Sequence, residues 1–205
     1  MTLTEPVTLR GHHVTLEPLA PEHAAALVLA AADGELWKLW YTTVPKPENM
    51  EKEIARRMAL QAAGSMLPFA VRRNDTGALC GMTTFMNIDA TNRHVEIGST
   101  WHALSAQRSG VNTESKLLLL SHAFETLRCI AVEFRTNAMN LQSRAAIARL
   151  GAKQDGILRN HQRTPEGILR DTVVYSIIES EWPTVRRHLQ FKLDRQNTGR
   201  PHISC

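Results

Sequence analysis

Apolar and polar positions along this chain repeat with two different periods, and the switches between them mark out its elements. Val7 to Arg10 and His13 to Leu19 alternate in twos, which predicts short strands around Gly11-His12. Pro21-Glu22 opens a helix through an alanine-rich stretch to about Ala32, and Asp33-Gly34 stops it. Leu36-Trp37-Lys38-Leu39-Trp40-Tyr41 is short and aromatic and precedes Pro45 and Pro47, so it reads as an unusual loop. Met50, Ile54, Met58 and Gln61/Ala62 recur at helical spacing and predict a helix from Glu48 to Ala63, ended by Gly64.

Pro68 to Arg73 and Ala78 to Asn87, joined by Asn74-Asp75-Thr76-Gly77, form an antiparallel hairpin pattern, and a further strand covers His94 to Trp101. From Thr113 to Leu127 the period returns to that of a helix, with Leu117, Leu120, Phe124 and Leu127 as its core stripe. Leu118 and Leu119 widen the stripe, which implies burial on more than one side. Cys129 to Thr136 is a strand, Leu141 to Leu150 a helix, and Ala152 to Leu158 and Leu169 to Ile178 are two last strands before a helix from Trp182 to Leu193. This order predicts an α+β fold, helices packed around one central mixed sheet, with no internal repeat and no low-complexity linker.

Between the strand Val95 to Trp101 and the apolar helix lies Gln107-Arg108-Ser109-Gly110-Val111-Asn112. A glycine in such a turn lets the backbone approach an anion, and the free amides of the following helix N-terminus point at it. No Gly-Lys-Ser/Thr follows, which excludes a P-loop, and a dinucleotide fingerprint lacks its third glycine and its opening βαβ unit. Strand and turn together resemble the acyl-CoA segment of the GNAT (Gcn5-related) N-acyltransferases, Gln/Arg-x-x-Gly-x-Gly/Ala preceded by a strand with Glu-Ile. Here Glu96-Ile97 stands eleven residues before Gln107. Asn140-Leu141-Gln142-Ser143 and Leu150-Gly151-Ala152 are similar to the family's Asn-x-x-Ser and Leu-Gly-Phe/Ala. With Trp101-His102 and Arg170 to Tyr175, these motifs most resemble the branch of ribosomal-protein N-terminal acetyltransferases, over roughly Leu9 to Ile178. Asn112 departs from the family's final Gly/Ala; asparagine tolerates unusual backbone angles, and its side chain either crowds or binds the cofactor phosphates.

The resemblance implies two parallel strands, Val95 to Trp101 and Ile130 to Thr136, that splay apart and admit a pantetheine arm between them. It implies acetyl-CoA as the cosubstrate and direct transfer of the acetyl group to a primary amine, a protein N-terminus or a small molecule. Ser99, Thr100 and Trp101 would then bind pantetheine through their backbone amides, and Gln107, Arg108, Ser109, Gly110, Val111, Asn112 and Thr113 the pyrophosphate. Glu96 stands at the position of the family's general base, with strand ordering or a pair with Arg93 as the alternative. Ser143 matches the group that protonates the departing thiolate, and Asn140 one that contacts pantetheine; both also suit a helix cap. Trp37, Trp40 and Tyr41 would line the acceptor pocket, or simply pack in the core. Asp171, if it faces inward, would attract a cationic amine. The rival reading is a CoA-binding regulatory or interaction module with weak catalysis.

At 205 residues and 43% hydrophobic, the chain suits one domain, taken as an acyl-CoA N-acyltransferase domain over 1–195 with a disordered tail at 196–205. Of the formal charge of +4, the stretch from Glu181 onward supplies +3, so the body is nearly neutral and carries no basic stripe for nucleic acid. Cys80, Cys129 and Cys205 lack Cys-x-x-Cys spacing and nothing reads as a signal peptide, which points to a reducing, cytoplasmic setting with Cys80 and Cys129 buried. No stretch is long and apolar enough for a membrane span. His12-His13 has no carboxylate or cysteine cluster beside it, so no metal is expected. A homodimer is the expected assembly.

Overall fold

The computed structural model describes residues 3–164 and 166–197. Eight strands form one sheet in the order β1-β2-β3-β4-β5-β6-β8-β7. They are β1 (Leu9–Arg10), β2 (Val14–Pro18), β3 (Met66–Arg73), β4 (Leu79–Asp89), β5 (His94–His102), β6 (Ala131–Asn137), β7 (Lys153–Arg163) and β8 (Leu169–Ile178). Only β5 and β6 run parallel; every other neighbouring pair is antiparallel. Five helices flank the sheet: α1 (Ala24–Ala32), α2 (Met50–Ala62), α3 (Gly110–Ser121), α4 (Leu141–Arg149) and α5 (Trp182–Asn197). The expected α+β arrangement is the one observed. Because α5 runs to Asn197, the part of the expected tail from 198 onward lies outside the described residues.

Local chemistry explains the boundaries. Gly64, at φ +77°, closes α2: its amide donates to Gln61 O and that of Ser65 to Leu60 O, the two bonds of a left-handed helix stop. Asn140 caps α4 by accepting from the Ser143 amide at 3.0 Å. The largest departure from the sequence pattern is α3, which begins at Gly110 rather than Thr113 and passes at His122–Thr126 into a wider turn, closed by the Leu127 amide on His122 O. Its buried face also differs. Leu119, Leu120, Ala123 and Phe124 are buried with Thr113, Glu114, Ser115 and Lys116, whereas Leu117 and Leu118 are only partly so. The two charged residues of this buried polar stretch, Glu114 and Lys116, find partners on the sheet and its β1–β2 corner.

Glu114 is the clearest case. Its carboxylate accepts the backbone amides of His12, His13 and Val14 at 2.9, 2.6 and 2.8 Å, tying the start of α3 to the corner between β1 and β2. The sheet separates two helical layers. Thr83 and Thr84 are neighbours on β4 and so point to opposite faces; the first meets Lys116 of α3, the second Arg57 of α2. Cys80 and Cys129 are buried, and burial raises both thiols to about 11, so they pack as small apolar groups.

Glu114→Ala strands three amides beside the core and is expected to lower stability by about 2–4 kcal/mol, whereas the exposed Glu51→Ala changes it by less than about 0.5. Urea denaturation of the two variants checks this.

Candidate functional site

The parallel ladder is short. His94, Val95 and Glu96 of β5 pair with Ala131, Val132 and Glu133 of β6, and beyond them the strands part. Just past the fork β5 carries a bulge, where Ser99 and Thr100 together oppose Thr83 and Ser99 takes φ +47°. The extra residue switches the faces of the strand: Glu96 and Gly98 share the α2 side with Met86 and Thr84, while Thr100 and His102 turn toward α3.

Two buried cations hold this bulge from opposite sides. On the α2 side Arg57, 2% exposed, donates to Thr84 Oγ1 at 2.7 Å and to the Ser99 carbonyl at 3.2 Å, while Glu53 answers its charge at 2.7 Å. On the α3 side Lys116 Nζ lies 2.7 Å from Thr100 Oγ1 and 3.2 Å from Thr83 Oγ1, with no carboxylate bonded to it among the described residues. Burial alone lowers Lys116 to about 7. His102 is buried beside it with both ring nitrogens unpartnered; burial first, and the Lys116 charge second, press its pKa down to about 3, against a smaller opposing contribution from Asn112.

The fork opens into a cavity of about 620 Å³. Of the residues expected to hold a cofactor, Ser99, Thr100, Trp101, Gln107, Arg108, Asn112, Asn140 and Ser143 line it together. Ser109, Gly110 and Val111 instead line a separate cavity of about 320 Å³ with His12, His13 and Arg73, and Thr113 is buried. In the turn the residue with positive φ is Arg108, at +57°, whereas Gly110 is already helical. Gly110 is needed for room: a Cβ there would sit 2.7 Å from His13 Cδ2. Ser109 caps the helix, accepting from the Val111 amide at 3.3 Å.

Glu96 is 5% exposed and stands one layer behind the wall formed by Gly98 and Arg135. Asn87 Nδ2 donates to it at 2.7 Å and Arg135 Nε lies 3.5 Å away, in place of the expected Arg93, which donates to the Leu127 carbonyl. Desolvation outweighs these contacts and raises its pKa. Ser143 lines the cavity, and the capping role falls to Asn140. Among the aromatic residues Tyr41 lines the cavity; Trp37 packs on the core, and Trp40 is 54% exposed against the Tyr41 ring. Asp171 does not reach the cavity, because Arg159 and the Asn160 amide hold its carboxylate on the outer side; its neighbour Arg170 lines the cavity instead.

Sequence reading gave no site role to Arg57, Lys116, His102, Arg135 or Arg170, although His102 and Arg170 stand in the motifs that carry the resemblance. A signal existed for Lys116, a charge three and four residues before Leu119 and Leu120 on the buried stripe.

Residues 13–153 match the family model described as the Acetyltransferase (GNAT) domain. YdaF of Bacillus subtilis (strain 168), provisionally named a ribosomal N-acetyltransferase, is 35% identical over 106 residues, which are 52% of this chain and 57% of that protein. The match thus spans little more than half of that relative. The crystal structure of a GCN5-related N-acetyltransferase from Brucella melitensis has a TM-score of 0.82 at 29% identity, covering 92% of this chain and 86% of that one. Mycobacterium smegmatis RimJ, solved in complex with CoA-disulfide, shares the fold with a TM-score of 0.80 at 22% identity, over 94% and 97% of the two chains.

Two measurements probe the packing around the site. Gly110→Ala is expected to cost about 1–3 kcal/mol through His13, and His13→Ala in the same chain to recover most of it. A folded-state lysine depressed to about 7 leaves the unfolded chain holding the extra proton between there and 10.5, so Lys116 makes stability rise with pH across that window. Lys116→Met is expected to remove that slope, up to about 1.4 kcal/mol per pH unit, in urea denaturation at pH 7 and 9.

Proposed function

Since this chain belongs to the GNAT acetyltransferase family, we propose that it carries an acetyl group from acetyl-CoA directly to a primary amine, without a covalent enzyme intermediate. The observation that carries this reading is one cavity in which the forked strands, the Ser99 bulge and Gln107, Arg108 and Asn112 of the turn meet. Past Glu96 the facing edges of β5 and β6 no longer pair with each other, and the amides of a pantetheine arm match such edges as a short added strand. The amides of Ser99, Thr100 and Trp101 take the pantetheine and polarise the thioester oxygen. Gln107, Arg108 and Asn112, with the helix N-terminus beyond them, receive the pyrophosphate, and Ser109, Gly110, Val111 and Thr113 shape that N-terminus.

A neutral amine then attacks the thioester carbon; the oxyanion collapses, the carbon–sulfur bond breaks and the thiolate takes a proton through the Ser143 hydroxyl, which regains one from water in the cavity as it gives its own away. Glu96, set behind the wall, accepts the amine's proton through water, and its raised pKa suits that work. Asn140 orients the first turn of α4 toward pantetheine. Tyr41 borders the acceptor, while Trp37 and Trp40 support the loop that carries it. The acceptor is a small amine or a protein N-terminus, the latter supported by the ribosomal designation of YdaF. The working compartment is taken as the cytoplasm. A CoA-binding module without turnover is the competing reading, supported by the withdrawal of Glu96 from the cavity wall.

Thiol release from acetyl-CoA over a panel of amines and N-terminal peptides separates the two: release supports the enzyme, and tight CoA binding without release supports the module. Glu96→Gln is expected to lower kcat roughly a hundredfold with CoA affinity unchanged. It should also abolish the fall in rate on the acid side, which a raised carboxylate pKa places at higher pH than an ordinary glutamate would. Ser143→Ala is expected to slow the chemical step about tenfold or more in single-turnover assays.

A further inference from the structure

Among the described residues the walls of the cavity carry five arginines, Arg57, Arg108, Arg135, Arg149 and Arg170, with Lys116, and no aspartate or glutamate. Arg108 lies on the turn and Arg149 on α4, whereas Arg57, Arg135 and Arg170 gather on the α2 side of the sheet. Register establishes this: Glu133 pairs with Glu96, Arg135 lies two residues on and opposite Val174, and Arg170 lies four residues from Val174 on the same face of β8. Tyr41, Thr42 and Thr43 line the same cavity.

These three arginines are not equivalent. Glu53 balances Arg57 at 2.7 Å, and Glu133 balances Arg135 at 2.7 Å, with Glu96 at 3.5 Å. The Arg170 side chain has no ion pair and no hydrogen bond among the described residues, and its Nε is buried without a partner. Burial weakens its hold on the proton, and the more distant Glu96 charge offsets this only in part. A guanidinium held half out of water with open donors is unfavourable until an oxyanion completes it, and its planar fork suits carboxylate and phosphate alike.

Resting on the acetyl-transfer reading above, we infer that the acceptor is a primary amine bearing its own anionic group, a carboxylate or phosphate, and that Arg170 receives that group. The amine end then points along β5 toward the Ser99 bulge. Polyamines and aminoglycosides are disfavoured, because they bring further positive charge against a wall that offers none of the opposite sign.

The test compares matched acceptors by thiol release from acetyl-CoA: glutamate with glutamine, a peptide amide beginning Asp-Glu with one beginning Asn-Gln, O-phosphoethanolamine with ethanolamine, and spermidine as the cation. At least one anionic member is expected to exceed its neutral partner about tenfold in kcat/KM, mostly through KM, and the winning pair names the source of the anion. Arg170→Gln is expected to erase that preference and Arg170→Lys to keep part of it, both with CoA affinity retained. Equal rates within every pair, equal silence in all of them, a preference for spermidine, or a preference that survives Arg170→Gln overturns the inference. Calorimetry with CoA on the same preparation keeps the two readings apart: absence of CoA binding removes the acetyl-transfer reading itself, whereas CoA binding without an anionic preference removes only the acceptor assignment.

Discussion

Everything about the site depends on β5 and β6 pairing for three residues and then ceasing to pair. A parallel ladder that continued would satisfy its amides and carbonyls internally and leave a closed sheet. Stopping it sets aside backbone groups that need partners, and the interior does not tolerate many of these. The bulge at Ser99 is part of the same device, since it shifts the following residues to the other face and turns the strand away from its neighbour.

Two buried basic side chains hold the bulge beside that fork. Arg57 reaches it through the α2 layer and Lys116 through the α3 layer, and both end on threonine hydroxyls of β4 and β5 or on the Ser99 carbonyl. The two differ in how their charge is met. Arg57 has Glu53 behind it and stays charged, as guanidinium groups do. Lys116 has hydroxyls and no bonded carboxylate, which is why burial brings it to about 7 and why neutral His102 can lie beside it. The region is therefore polar without being acidic, and it presents donors toward the opening.

The fold was largely legible because periodicity changes at almost every element boundary and turn residues mark the changes. Gly64, Asn74 to Gly77 and Asn140 act in the structure as their chemistry suggests. The short parallel pairing followed from a family likeness carried by Glu96-Ile97, the Gln107 turn and Asn140, and no local pattern expresses it. Reading failed where burial of polar groups mattered. Gly110 to Asn112 were assigned to the turn although α3 already begins there, and Glu114, off the expected apolar stripe, is buried where three amides await it. Gly110 was read as room for the backbone to approach an anion; in the structure the space a side chain would fill there is taken by His13, from the N-terminal end of the sheet. Asp171 and Arg170 adjoin on one strand, so parity decides which enters the cavity; the inward residue is the arginine.

The fork also bears on how such a protein can diverge. Its width is set by main chain, by where one ladder ends and one extra residue intrudes, and point substitutions scarcely alter main-chain spacing. The rims are side chains from separate elements, Tyr41 before α2, Arg135 on β6 and Arg170 on β8, each replaceable without disturbing the others. Descendants of this scaffold can accordingly exchange one clientele for another while the donor's slot is inherited intact.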